Sequence, residues 1–156
     1  MAQLTKQQIG RCGELLVQYV LLKHGVESAL LTTDQGVDLV AFPNVSAFPD
    51  KRGNPVTIQV KTSTHHSEAS DPMCKWLLWV IPNNCPADYI ATVDFERQKS
   101  WLIPTKEFTQ KATHPTKELS RLWWYIPGYE PARAKKRGEQ FKEYEMDTAI
   151  PKVFGH

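Results

Sequence analysis

The run Val56-Thr57-Ile58-Gln59-Val60-Lys61-Thr62-Ser63 constrains this chain more than any other stretch. Val56, Ile58, Val60 and Thr62 alternate with Thr57, Gln59, Lys61 and Ser63, a period of two that gives each set its own face of a strand. One face is apolar and β-branched, as a packed strand requires. The other carries an amide oxygen at Gln59 and an ammonium at Lys61, two residues apart. An ordinary half-exposed strand has the same alternation. The polar pair, with the carboxylate of Asp38 upstream, raises the question of a site.

The elements around this strand follow in quick succession. Thr5 is placed to cap a helix, with Gln8 three residues on completing a capping box. That helix is expected to run to about Lys23, with Gly25 just past its end. Cys12, Leu15, Leu16, Tyr19 and Leu22 form an apolar stripe, and Val17, Val20 and Leu21 widen it, so the helix is expected to be largely buried. Glu14 lies within it and must either face outward or meet a cation. Ser28 to Thr32 is a short apolar run, Asp34-Gln35-Gly36 a turn, and Val37 to Phe42 a strand. The polar stretch from Pro43 to Pro55 connects it to the opening strand.

Downstream, His65 to Pro72 is rich in turn formers and reads as a loop. Trp76 to Ile81 and Tyr89 to Phe95 read as strands, and Ser100 to Ile103 pairs with the second of these as a hairpin. A short helix begins near Pro104, a second is expected over Lys117 to Trp124, and a charged one over Lys136 to Met146. The aromatic run Trp123-Trp124-Tyr125 either packs a C-terminal arm on the core or offers a dimer or base-stacking surface.

Composition narrows the class. The chain has 156 residues, enough for one domain with a real core. It carries no apolar stretch of membrane-spanning length and no signal peptide at its start, so a cytoplasmic protein without a membrane partner is expected. Its cysteines, Cys12, Cys74 and Cys85, are odd in number and lack zinc-ligand spacing, so free thiols are expected. A net charge of +2 is weak support for a nucleic-acid partner. Arg133, Lys135, Lys136 and Arg137 form a basic cluster that becomes a candidate phosphate contact only if a site calls for one.

Glu14, Asp38, Gln59 and Lys61 supply such a site. A hard cation such as Mg²⁺ takes carboxylates, amide oxygens and water as ligands. Asp38 and Gln59 can offer these from adjacent strands, and Glu14 from the helix. Lys61, next along the same strand face, can hold an attacking water and stabilise negative charge on a phosphorus centre. Thr62 and Ser63 are candidates for phosphate hydrogen bonds or simply strand-end residues. For His65 a loop role outweighs DNA contact.

This order of residues resembles the PD-(D/E)XK nuclease superfamily. Gly36-Val37-Asp38 stands where that family has its Pro-Asp element, Gln59-Val60-Lys61 is its acid-or-Gln-x-Lys, and Gly13-Glu14-Leu15-Leu16 matches its helix acid. The flanking Leu39-Val40-Ala41, Ile58 and Thr62-Ser63 are similar to the Holliday-junction-resolvase-like branch and to small endonucleases encoded in group I introns. Val37 replaces Pro, and neutral Gln59 replaces the acid, whose charge Glu14 can supply. The resemblance covers about residues 5–105. It implies an α/β fold with a restriction-endonuclease-like core: a mixed central β-sheet flanked by helices, with a C-terminal arm. The core is expected over 1–108, with 109–156 an extension of the same domain for dimer or DNA contacts. The implied activity is Mg²⁺-dependent endonucleolytic hydrolysis of double-stranded DNA, with a site-specific homing enzyme as the finer reading. The implied assembly is a homodimer or homotetramer. A non-cleaving DNA-binding relative and a Holliday-junction resolvase stand as alternatives.

Overall fold

The computed structural model describes residues 3–33, 35–43, 54–68, 70–113, 115–131 and 138–155. Helix α1 (Lys6–Lys23) opens on the expected capping box: the Thr5 hydroxyl accepts from the Gln8 amide at 3.3 Å, and Gln8 Oε1 accepts from the Thr5 amide at 2.8 Å. It ends at His24 and Gly25, whose φ of 72° needs no side chain there. The strands β1 (Val26–Leu30), β2 (Leu39–Pro43) and β3 (Val56–Ser63) follow, then β4 (His66–Glu68), β5 (Asp71–Pro82), β6 (Tyr89–Asp94) and β7 (Lys99–Pro104). Helix α2 (Thr105–Lys111), strand β8 (Leu119–Tyr125), a 3-10 segment (Gly138–Tyr144) and helix α3 (Met146–Phe154) complete the chain. Among the described residues, no helix is long and apolar enough to cross a membrane.

A five-stranded sheet in the order β1-β2-β3-β6-β7 forms the middle layer, and β3 is its central strand. It is mixed: β3 and β6 run parallel, while the other neighbours are antiparallel. A parallel pair needs a long crossover. Here that crossover contains β4 and β5, which join β8 in a second, three-stranded sheet. One apolar core lies between the main sheet and helices α1 and α3, with Val17, Leu21, Ile58, Val60, Val93 and Ile150. The other lies between the two sheets, where Trp79, Trp101, Trp124 and Phe141 meet with ring centroids 4.4–6.0 Å apart.

The structure corrects several expectations. Lys117 to Trp124 contributes a strand, not a helix: β8 pairs with β5 from Trp76↔Tyr125 to Pro82↔Leu119. His66–Glu68 forms β4 and pairs with β5, which itself begins at Asp71, so the stretch His65 to Pro72 contributes strand where a loop was expected, while Trp76 to Ile81 lies within β5 as expected. Helix α1 buries Gly13, Val17 and Leu21, while Leu15, Tyr19 and Leu22, on the opposite side of the helix, are more than half exposed. The expected charged helix begins as the 3-10 segment and gives way to α3 only at Met146. Of the aromatic run, Trp124 is buried between the sheets, and Trp123 and Tyr125 lie on the other face of β8, half-buried.

Candidate active site

Strand β3 carries the two faces that its alternation requires. Ile58 and Val60 face α1, while Gln59 and Ser63 contact residues of the crossover on the other side. That second face is not wet. Gln59 is 4% exposed and Ser63 3%. A buried amide side chain needs a defined set of partners.

Asp38, the residue just before β2, reaches the surroundings of Cys85 and the Val60 amide. The β2–β3 ladder ends where the Asp38 amide donates to the Ile58 carbonyl at 2.9 Å. The next β3 amide pointing that way, Val60, donates instead to Asp38 Oδ2 at 2.6 Å. A side chain thus takes the place of the strand carbonyl, and the carboxylate is held on the backbone of Val60, the residue between Gln59 and Lys61 in sequence. The turn before it is tight. Gly36 has φ of 80°, and a Cβ there would lie 2.9 Å from Cδ of Pro86. Only glycine lets the Gly36 turn and the Cys85-Pro86 loop close on each other.

Cys85 ties the group together. Its Sγ donates to Gln59 Oε1 at 3.3 Å and lies 3.8 Å from the Gly36 carbonyl oxygen. Burial pushes the Cys85 thiol up from its ordinary value. A hydrogen bond with the Ala87 backbone and the Lys61 ammonium pull it down, and the Asp38 carboxylate pushes it further up. Asp38, Gln59 and Lys61 therefore all lie within electrostatic or hydrogen-bond reach of one sulfur. The sequence marked Cys85 only as a free thiol, and nothing local to residue 85 signals this contact. A carboxylate and an amide oxygen with an ammonium in electrostatic reach have the donor chemistry of a hard-cation site.

Helix α1 is brought close to β3 by Gly13. A Cβ on Gly13 would fall 1.9 Å from Thr62 Oγ1, so the helix backbone rests directly on that hydroxyl. Glu14, the next residue, meets a cation as one of its two expected fates: its Oε2 pairs with Arg11 Nη1 at 2.8 Å. Its side chain remains a quarter exposed.

The other candidates differ in their surroundings. Thr62 Oγ1 is buried under α1. The Ser63 hydroxyl donates to the Thr64 carbonyl at 2.9 Å and accepts from the Leu78 amide at 3.1 Å, pinning β3 to β5. The Ser63 hydroxyl is thus engaged within the strands, whereas Thr62 Oγ1 is buried without a hydrogen-bond partner among the described residues. His65 Nε2 lies 2.9 Å from Asp94 Oδ1 and 3.7 Å from Glu96 Oε2. Among the described residues, His65, Asp94 and Glu96 are a group that could hold a metal ion, their ligand atoms all within 4.8 Å of one another. Asp94, fully buried, also accepts from Arg97 Nε at 2.5 Å. Sequence reasoning missed this network, whose acids lie about thirty residues from His65. Asp34 and the basic cluster Arg133, Lys135, Lys136 and Arg137 lie outside the described residues.

No family model matches the chain. No curated protein matches it either. Among solved structures it is similar to a bacterial homing endonuclease, I-Ssp6803I, with a TM-score of 0.64 at 15% identity, covering 97% of this chain and 93% of that one. The chain therefore has the mixed α/β, restriction-endonuclease-like fold that the motif order implied.

Proposed function

We propose that this chain is a metal-dependent DNA endonuclease of the PD-(D/E)XK type, acting as a homing-type, site-specific enzyme. The observation that carries the reading is the approach of Asp38, Gln59 and Lys61 to one thiol, Cys85, where the β2–β3 ladder ends. The fold shared with a homing endonuclease supports it. Asp38 and Gln59 are the proposed Mg²⁺ ligands, with Glu14 as the second acid.

Bound there, Mg²⁺ would polarise the phosphodiester and lower the pKa of a coordinated water. The chain's own groups do the rest. The Val60 amide fixes the Asp38 carboxylate, so its orientation is set before any ligand arrives. Lys61, on the same strand face as Gln59, orients the water nucleophile and meets the negative charge that develops on phosphorus. Two strands of a duplex need two such sites, so a homodimer or homotetramer is the proposed assembly.

The test is incubation of the purified chain with plasmid and with branched DNA, in Mg²⁺ or in EDTA. Mg²⁺-dependent cutting is expected, abolished by Lys61→Ala and by Asp38→Ala with DNA binding retained. Binding without any metal-dependent cutting in the unmodified chain would refute catalysis and leave a DNA-binding relative. Cutting confined to the branched substrate would make it a junction resolvase.

A further inference from the structure

We propose that Cys85 is a positioning residue of this metal centre: its thiol hydrogen bond to Gln59 Oε1 holds the amide with the oxygen, not the nitrogen, toward the cation. The inference rests on the nuclease reading above and assigns a role that the motif itself does not contain.

A glutamine is an awkward ligand because its two ends have similar size and opposite polarity. The oxygen accepts through two lone pairs, whereas the NH₂ group only donates and repels a cation. Rotation of the amide by half a turn exchanges them. Gln59 is 4% exposed, so bulk water cannot favour the correct orientation. Neighbouring groups must do so. Sγ of Cys85 lies 3.3 Å from Oε1. Nε2 lies near Gly36, where even an added Cβ would be 3.9 Å away, which leaves room for the larger NH₂ end. The thiol occupies one lone pair of Oε1 and leaves the second for a metal.

The Cys85 loop is built to hold that position. The Cys85 amide donates to the Pro82 carbonyl at 3.1 Å, and Pro86 packs on Gly36. A carboxylate at position 59 would need no such device, since both of its ends are oxygen. The thiol is thus matched to this chain's departure from an acid ligand.

The experiment measures Mn²⁺ binding by calorimetry in the full chain, its Cys85→Ala and Cys85→Ser variants, and the same pair of substitutions placed on Gln59→Glu. One lost hydrogen bond predicts that Cys85→Ala weakens Mn²⁺ binding about three- to tenfold. Serine keeps a donor and should restore binding to within about twofold of the parent. On Gln59→Glu the Cys85→Ala substitution should change nothing, and the Mg²⁺ concentration needed for cleavage should follow the same pattern. Cys85→Val, free of a donor and close in volume, reads the same effect if the alanine variant does not fold. Equal losses on the parent and Gln59→Glu backgrounds would mean packing alone and overturn the proposal, as would no loss in either donor-free variant. Failure of the parent chain to bind Mn²⁺ would overturn the nuclease reading along with it.

Discussion

Substituting Gly13 by alanine tests whether the helix bearing Glu14 is as tightly seated as the structure shows. The added Cβ would lie 1.9 Å from Thr62 Oγ1, 3.1 Å from its Cβ and 3.3 Å from its Cγ2. Rotating Thr62 moves Oγ1 aside but brings another substituent round and leaves its Cβ too close. Thr62 sits on the central strand, paired on to β6 opposite Val93, so it cannot retreat. The helix must lift, and overpacking of this kind costs about 1–3 kcal/mol. The severity of the overlap argues for the upper end. Replacing a helical glycine by alanine returns only about 0.5–1 kcal/mol. The net loss is then about 2 kcal/mol, a fall in Tm of roughly 4–8 °C for a chain of this size. Gly10 is an internal control, because nothing lies within 4 Å of its added Cβ. Gly10→Ala should hold or raise Tm. Differential scanning calorimetry of both variants, with Thr62→Ala as a rescue of Gly13→Ala, measures the contact. A Gly13→Ala protein as stable as Gly10→Ala, or no rescue by Thr62→Ala, would refute the close seating of α1.

Three further outcomes are expected. Ser63→Ala leaves the Leu78 amide without its acceptor and should cost about 1–3 kcal/mol in urea unfolding, with faster hydrogen exchange at Leu78; an unchanged midpoint would remove Ser63 as the link between the sheets. The Asp147 carboxyl is held below its ordinary 3.8 by hydrogen bonds from His24 and Lys23. It therefore adds stability above that value, which is lost as pH falls through the lowered one; Asp147→Asn should narrow its gap to the parent between about pH 5 and pH 2 in a Tm series. Burial and the hydrogen bond to Glu107 push the Tyr144 phenol well above its ordinary 10.0. Its contribution is present below that ordinary value and lost as pH rises toward the raised one, so Tyr144→Phe should flatten the alkaline fall in Tm.

The parts of the fold that were legible are those written in local spacing. The capping box at Thr5 and Gln8, the period-two run of β3 and the β6–β7 hairpin all depend on residues close in sequence. The second sheet depends on partners far apart. In β8, Ser120, Leu122 and Trp124 point inward while Arg121 points out, which is a strand's period, but Trp123 and Tyr125 fill the outward positions with aromatics and hide it. Its partner β5 lies some forty residues upstream. The stripe on α1 failed for a related reason. Leu15, Tyr19 and Leu22 are apolar, yet the close approach at Gly13 fixes which side of the helix meets the sheet. A glycine inside a helical pattern is the signal that carried this information.

The site shows the same division, and its one anomaly has a physical account. Asp38, Gln59 and Lys61 were legible as a motif, whereas Cys85, twenty-six residues from Gln59, was not. Position 59 is buried and is followed by Val60, whose amide holds the Asp38 carboxylate just ahead of the neighbouring strand. A second acid there would place like charges together away from water, a cost to the metal-free protein that raises the proton affinity of the pair. A neutral amide removes that cost and gives up cation affinity in return. Under the proposed reading the second acid is Glu14, which is partly exposed on the helix and paired with Arg11. In the proposed nuclease reading, a neutral residue at position 59 moves negative charge from a buried strand to a hydrated helix face, and the thiol of Cys85 would supply the orientation that a carboxylate has from its own symmetry.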